Sequence, residues 1–371
     1  PYKQTAWGES VVEAMLYMLW DLGLKVGHAT RNVEQCVKLA EGDMTIRTSL
    51  LDARLVFGNE RLFAELETQF NAAIASWPAR DFVDAKFAER NERHRRAGES
   101  RYRVEPNVKD GKGGLRDLHT LHWLMRYLHG ATPSEEAVGE GLFSSAELQT
   151  YKTCESFLWS VRCHLHFLTN RAEERLSFDL QPTMAERLGY KSRGGARPVE
   201  RFMKHYFLVA KEVGELTMVI SAALEMKQLK AQPAAGGAAL LQTWRDRALL
   251  RRRTDFRIDN GRISVANRDV FKHNPVNLLR LFQLAQEYSA EHHPETMRLV
   301  RQSLRLIDDK LRRDVEANRI FLDILTARTG VEAALRVMNE AGVLGRSIPE
   351  FGRTVAMMQF NMYHHYTVDE H

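Results

Sequence analysis

The stretch Glu105-Pro-Asn-Val-Lys-Asp-Gly-Lys-Gly-Gly-Leu-Arg-Asp117 places three glycines and three basic residues directly before an amphipathic helical pattern. Glycine lets the backbone turn sharply or approach a ligand closely, and backbone N–H groups at a helix start suit an anion such as a phosphate. The stretch therefore predicts a nucleotide-phosphate loop, although it is neither a Walker loop nor a dinucleotide fingerprint. The predicted contacts are Lys109, Gly111, Lys112, Gly113, Gly114 and Arg116. The alternative is a glycine-rich turn that only caps the helix.

Outward from this stretch, the apolar spacing is mostly helical. An apolar stripe runs from Leu115 to Leu128 and stops at Gly130. Similar patterns predict helices over residues 11–20, 44–57, 63–97 with a break at Trp77-Pro78, 146–168, 201–226, 275–318 and 321–341. Two regions predict strands: the short, glycine-punctuated residues 22–29, expected to be buried, and a hairpin over residues 256–265 around Asn260-Gly261. The fold class predicted is mainly α with a small α+β part.

Composition and charge exclude several classes of protein. The 371 residues are 44% hydrophobic and 27% charged, which is typical of a globular protein. A net charge of +5 is too mild to indicate nucleic acid as a partner, and the basic clusters at 90–96 and 251–253 are expected on solvated surfaces. No apolar run approaches the length that spans a membrane. Three widely spaced cysteines favour a reducing, cytoplasmic setting.

Several motifs carry a resemblance to one family. The stretch 105–117 resembles the signature of the PII uridylyltransferase/uridylyl-removing enzymes, the bifunctional nitrogen sensors of proteobacteria. Further matching stretches come in the family's order at residues 19–28, 50–58, 157–166, 171–176, 342–352 and 366–371. Together they cover nearly the whole chain, which is identified as an internal fragment of such an enzyme.

The resemblance implies a domain organisation. Residues 1–60 would be the C-terminal part of a polymerase-β-type nucleotidyltransferase domain, and residues 61–230 a helical domain that carries the glycine-rich loop. An Ala/Gly/Pro-rich linker is predicted at 231–255, followed by a connector with the hairpin and helices at 256–345. Residues 346–371 would begin an all-α HD phosphohydrolase domain.

The resemblance also implies an activity. The family transfers UMP from UTP to a tyrosine of the PII signalling protein and removes it hydrolytically, using Mg²⁺ (or Mn²⁺), with glutamine sensed by C-terminal domains outside this sequence. The family's Gly-Ser…Asp-x-Asp strand is absent from residues 1–371, so these residues alone are expected to be inactive. One alternative is a relative of glutamine synthetase adenylyltransferase, and another is a non-catalytic helical module that binds PII.

Three carboxylates are candidates for a catalytic role, and each has a structural alternative. Asp21 is the first candidate for a third metal carboxylate, or else a turn residue between a helix and a strand. Asp52, expected within a helix, could instead pair with an arginine. Asp117 lies in a first helical turn, where the helix dipole favours an acid. Asp43 is a weaker candidate.

Histidines supply one candidate metal ligand. His371 matches the first ligand of the HD domain, and the resemblance places the other ligands beyond it. His364 and His365 are expected to face solvent. The pairs His119/His122 and His164/His166 lack the spacing of a metal motif and are expected to be structural.

Overall fold

The computed structural model describes residues 5–97, 102–130, 133–139, 144–230, 255–259, 261–357 and 367–369. The chain divides into two compact units, one of residues 1–88 with 123–131 and the other of residues 89–122 with 132–371. Both are built mostly of helices, and one small sheet lies in the second, which confirms the mainly α fold with a small β part. No described helix is both long enough and apolar enough to cross a bilayer.

The first unit is helical. Its helices are α1 (Ala6–Asp21), α2 (Val33–Gly42), α3 (Met44–Leu51), α4 (Glu60–Ser76), the start of α5 (Ala79–Arg96) and the end of α6 (Leu115–His129). Side chains cap four of the starts: Thr5 caps α1, Asn32 forms a capping box with Gln35, Asp43 caps α3 and Asn59 caps α4. The predicted break at Trp77-Pro78 is confirmed, since it separates α4 from α5.

A buried arginine organises the centre of this unit. Arg47 is 3% exposed, and it donates to the backbone carbonyls of Ala40 and Glu41 at 2.8 and 2.6 Å. Its guanidinium carbon lies 4.4 Å from the ring centroid of Trp77. The charge is tolerated because carbonyl oxygens and an aromatic face replace the water it loses.

Two predictions for this unit are wrong. Residues 22–29 form no strand: Gly23, at φ +77°, ends α1 in the left-handed region, nearly all of the stretch is exposed, and residues 5–97 contain no strand with which it could pair. The helix predicted over 44–57 ends at Leu51. Val56 and Phe57, whose apolar character suggested a longer helix, are 86% and 97% exposed.

The second unit begins with a helical layer around the glycine-rich loop. It contains the end of α5, the start of α6, α7 (Glu135–Gly139), α8 (Ser145–Thr169), α9 (Gln181–Arg187) and α10 (Pro198–Lys230). The predicted helices of 146–168 and 201–226 are confirmed by α8 and α10. Leu118, Val161, Phe202 and Phe207 of these helices are fully buried.

The sheet of this unit confirms the predicted hairpin. Strands β1 (Phe256–Asp259) and β2 (Arg262–Val265) pair antiparallel from Phe256↔Val265 to Asp259↔Arg262, and the short β3 (Glu291–His292) runs parallel to β2. Gly261, at φ +74°, supplies the left-handed turn conformation that the Asn-Gly sequence predicted.

Short helices pack around this sheet. They are α11 (Val270–His273), α12 (Asn277–Glu287), α13 (Pro294–Gln302), α14 (Asp309–Arg312), α15 (Val315–Leu325), α16 (Val331–Glu340), α17 (Val343–Ser347) and α18 (Pro349–Thr354). Their buried faces share one apolar core with the sheet, including Ile263, Phe282, Ile320 and Met338. The linker residues 231–254 and the basic cluster 251–253 lie outside the described residues, and the predicted domain boundaries stay predictions.

Candidate functional site

The glycine-rich loop is a compact turn organised by Asn107. The Asn107 side-chain oxygen accepts from the N–H groups of Lys109 and Asp110 at 3.0 and 2.6 Å. The Leu115 and Arg116 amides, which start α6, donate to the carbonyls of Val108 and Lys109 at 3.0 and 2.9 Å. These backbone donors are satisfied within the loop, so in this conformation they are not directed at a ligand.

Two glycines let the loop backbone pack closely against other backbone segments. Gly113 has φ +83°, and a Cβ at this position would overlap the carbonyl of Ala210 in α10. A Cβ on Gly114 would lie 2.7 Å from the carbonyl oxygen of Val108. Both residues are buried. The structure therefore assigns these two glycines a packing role, while the predicted phosphate contact rests on the side chains of Lys109, Lys112 and Arg116.

Asp117, in the first turn of α6, forms a hydrogen bond with the backbone of the loop. It is 1% exposed, and its carboxylate accepts from Arg93 Nη2 at 2.5 Å and from the Gly113 N–H at 2.8 Å. His94 Nε2 lies 2.9 and 3.0 Å from its two oxygens. Burial alone would raise the pKa of Asp117, but His94, Arg93 and the Gly113 amide together hold that pKa below its ordinary value.

These contacts correct the expectation for the basic cluster at 90–96. The side chains of Arg93 and His94 are only 13% and 15% exposed and reach the buried carboxylate. Arg95 and Arg96, at 70% and 78%, lie on the solvated face as expected and pair with Glu92. Arg93 and His94 precede Asp117 by 24 and 23 residues in the sequence. Nothing in the sequence distinguishes these two residues from the neighbouring arginines that stay in solvent. The catalytic role considered for Asp117 stays a prediction, and its contacts favour a positioning role.

A second carboxylate, that of Glu174, is surrounded by basic side chains beside the loop. Arg162 donates to both of its oxygens, at 2.7 to 3.2 Å, and Lys109 Nζ and His166 Nε2 lie 3.9 and 3.7 Å away. Burial would raise the pKa of Glu174, but Arg162, Lys109 and His166 lower it. The backbone carbonyl of Glu174 also accepts from the Val108 N–H at 2.8 Å, which ties this group directly to the loop.

The predicted phosphate contacts thus belong to a mixed-charge surface. Lys109 and Arg116 side chains are 31% and 29% exposed, and Arg116 Nε lies 3.5 Å from Asp110. Lys112 is partly exposed. The Arg162 guanidinium carbon lies 5.2 Å from the ring centroid of Trp159, which is 38% exposed. Such a surface can receive an anion when the ligand replaces a carboxylate as the partner of these cations.

The other candidate carboxylates have structural positions in the first unit. Asp21 is the exposed last residue of α1. Asp52 lies at the C-terminal end of α3 and not within a helix as expected, and it accepts from the Trp123 indole N–H at 2.5 Å. Asp43 caps α3, and the amides of Ile46 and Thr45 lower its pKa.

The described residues do not form a metal site. Nowhere among them do three or more His, Cys, Asp or Glu side chains gather in a way that could hold a metal ion. Asp117 and Asp52 are engaged by protein donors instead. His364, His365 and His371 lie outside the described residues, so the metal-ligand role of His371 stays a prediction. His119 contacts the Trp159 ring at 6.1 Å between centroids, in keeping with a structural role.

Comparison with known proteins identifies the family. Residues 81–220 match the family model described as GlnD PII-uridylyltransferase, and residues 256–347 match the one described as uridylyltransferase GlnD third domain. The chain therefore belongs to the GlnD family.

Curated relatives agree over the full length of the chain. Proteins from Rhodopseudomonas palustris and a Bradyrhizobium species, each named bifunctional uridylyltransferase/uridylyl-removing enzyme, are 57% and 56% identical over 100% of this chain. The chain spans 40% of the length of each. No solved structure matches it significantly.

Proposed function

We propose that this chain is the central part of a cytoplasmic bifunctional enzyme of nitrogen regulation. The full-length protein would transfer UMP from UTP to a tyrosine of the PII signalling protein and remove it by hydrolysis, with glutamine as an effector. The observation that carries the proposal is the 57% identity to a uridylyltransferase/uridylyl-removing enzyme across every part of the chain. The names of both relatives favour this function over an adenylyltransferase of glutamine synthetase.

Within that function, the glycine-rich loop would contact the phosphates of UTP through Lys109, Lys112 and Arg116. These cations are partly exposed on a loop whose backbone accepts and donates hydrogen bonds with Asn107 and Asp117. A fixed loop places charge without reorganisation during the reaction, which is what stabilising a developing phosphate charge requires. In this proposal the reaction uses Mg²⁺ or Mn²⁺, and the candidate role of Asp21 as one of its carboxylate ligands stays a prediction.

The test is a two-direction assay of the full-length protein. Purified enzyme is mixed with PII, UTP and Mg²⁺, and the mass increase of PII by one UMP per subunit is followed. Modified PII, freed of UTP, is then returned to the enzyme with glutamine, and UMP release is measured. In a parallel reaction ATP replaces UTP and glutamine synthetase replaces PII. Absence of both activities, or transfer of AMP to glutamine synthetase, would contradict the proposal.

Variants connect the loop to the activity. Lys112→Ala and Arg116→Ala should raise KM for UTP or lower kcat of transfer, while Lys152→Ala should leave both unchanged. Lys152 is a half-exposed lysine of α8 that pairs with Glu135 at 3.6 Å, so it controls for general loss of positive charge. If the loop variants transfer UMP as well as the unaltered enzyme does, the loop does not contact the nucleotide.

A further inference from the structure

Three basic side chains beside the glycine-rich loop converge on one oxygen of Glu174. This oxygen, Oε1, lies 2.7 Å from Arg162 Nη2, 3.9 Å from Lys109 Nζ and 3.7 Å from His166 Nε2. Of the three groups, only Arg162 is within hydrogen-bond distance of it. His166 Nε2 is buried and has no hydrogen-bond partner among the described residues. Lys109 and His166 are therefore basic groups whose hydrogen-bonding capacity the carboxylate does not satisfy.

The backbone holds Glu174 against the loop without help from its side chain. The Val108 N–H donates to the carbonyl of Glu174 at 2.8 Å, and the Leu176 N–H donates to the carbonyl of Pro106 at 2.9 Å. These two bonds flank an antiparallel bridge between the two segments. Because neither bond uses the carboxylate, the pairing of the two segments does not require the charge at this position.

Arg162 likewise has a support other than its carboxylate partner. Its guanidinium carbon lies 5.2 Å from the ring centroid of Trp159, which is within the range of a cation–π interaction. Both residues lie on α8, three positions apart. This contact would hold the guanidinium near its present place if another anion took the position of the carboxylate.

A phosphate group fits this position better than a carboxylate does. The planar fork of an arginine binds carboxylates and phosphates in the same way. A phosphate group, however, offers three strong acceptor oxygens. Lys109 and His166 could then each bind an oxygen of their own, whereas at present they share one with Arg162.

We propose that Arg162 is a further phosphate-binding residue of the enzyme, and that Glu174 is an internal competitor that occupies the phosphate position until the substrate displaces it. The substrate group is a phosphate of UTP or the phosphodiester of uridylylated PII, which present the same chemistry. The exchange replaces one anion by another, and no covalent bond forms or breaks. The inference rests on the proposed function and deepens it.

The test measures the KM of the full-length enzyme for UTP and for uridylylated PII. Glu174→Gln keeps the shape of the side chain and the backbone pairing but removes the competing charge. Since an occupied site raises the apparent Kd of its ligand, this variant should lower KM by about threefold to tenfold, with kcat within about twofold. If Glu174 only orders Arg162 and the loop, the same variant should leave KM unchanged or raise it.

Two further variants complete the test. Arg162→Lys keeps a cation opposite Glu174, so the protein should fold, but a lysine has no fork and KM should rise by about threefold to tenfold. Glu173→Gln is the matched control. The Glu173 side chain is 21% exposed, against 18% for Glu174, and its carboxylate pairs with Arg171 at 2.5 Å. This control should keep both KM values within about twofold.

The two reactions distinguish the two sources of the phosphate. A lower KM for UTP in Glu174→Gln identifies the triphosphate, and a lower KM for uridylylated PII identifies the phosphodiester. The proposal is overturned if neither KM falls, if Glu173→Gln lowers KM equally, or if Arg162→Lys leaves KM unchanged.

A calorimetric titration with inorganic tripolyphosphate provides a readout that needs no turnover. Glu174→Gln should bind tripolyphosphate about threefold to tenfold more tightly than the unaltered enzyme, and Arg162→Lys should bind it more weakly. If the unaltered enzyme carries out neither reaction, the proposed function fails, and the titration still decides the role of this site. Equal affinities in all three proteins would then overturn the anion site as well.

Discussion

Replacing Asp117 by asparagine distinguishes a buried structural carboxylate from a purely catalytic one. The change keeps the shape of the side chain and removes its charge. Arg93 and His94, whose side chains are only 13% and 15% exposed, then lose their carboxylate partner. Removing one partner of a fully buried ion pair costs about 3–5 kcal/mol. Because Arg93 keeps a small exposed fraction and the amide oxygen can still accept from the Gly113 N–H, we expect a loss of about 3 kcal/mol in the free energy of unfolding.

The assay is urea unfolding of the protein, followed by circular dichroism and by intrinsic fluorescence, so that coincidence of the two transitions tests two-state behaviour. The matched control is Asp110→Asn in the same loop. Asp110 is 41% exposed and pairs with Arg116 at 3.5 Å, so its loss should cost under about 1 kcal/mol. The reasoning is refuted if Asp117→Asn unfolds at the same urea concentration as the unaltered protein or as Asp110→Asn.

Three further predictions concern the same loop. Gly113→Ala should lower the free energy of unfolding by more than about 3 kcal/mol, because the new methyl group overlaps the backbone of α10. Gly130 is also left-handed, at φ +64°, but has open space around it, so Gly130→Ala should cost only about 1–2 kcal/mol. Equal shifts in melting temperature for the two variants would contradict this prediction. Because the folded pKa of Asp117 is lowered, its contribution is present at neutral pH and is lost as the pH falls through that value. Asp117→Asn should therefore flatten the acid side of the stability–pH curve, and superimposable curves would count against it. Glu174→Gln should cost about 2 kcal/mol by removing the forked partner of Arg162, measured by urea unfolding; a loss below about 0.5 kcal/mol would show that the pair contributes little.

Local signals in the sequence were sufficient where the structure depends on neighbouring residues. The Asn260-Gly261 pair predicted the hairpin because its turn type requires positive φ, and Gly261 adopts φ +74°. The break at Trp77-Pro78 followed from the inability of proline to continue a helix. Apolar spacing likewise located α6, α8 and α10.

Predictions failed where partners distant in sequence decide the outcome. Residues 22–29 have the composition of a strand, but a strand also requires a hydrogen-bonding neighbour, and residues 5–97 provide none. Arg93 and Arg95 are indistinguishable in sequence. They differ in structure because α5 turns Arg93 toward Asp117 and leaves Arg95 in solvent.

The glycine-rich loop shows why a pattern that suggests ligand binding needs the structure beside it. Glycine permits close approach of backbone to any neighbour, whether ligand or protein. At Gly113 the neighbour is Ala210 of α10, and at Gly114 it is the loop's own Val108. The glycines thus account for how the loop packs. Packing does not account for the three basic residues Lys109, Lys112 and Arg116. A loop whose backbone is already held by packed glycines and a buried carboxylate, and whose cations are partly exposed, suits the positioning of a charged substrate better than a loop whose backbone must order itself around that substrate.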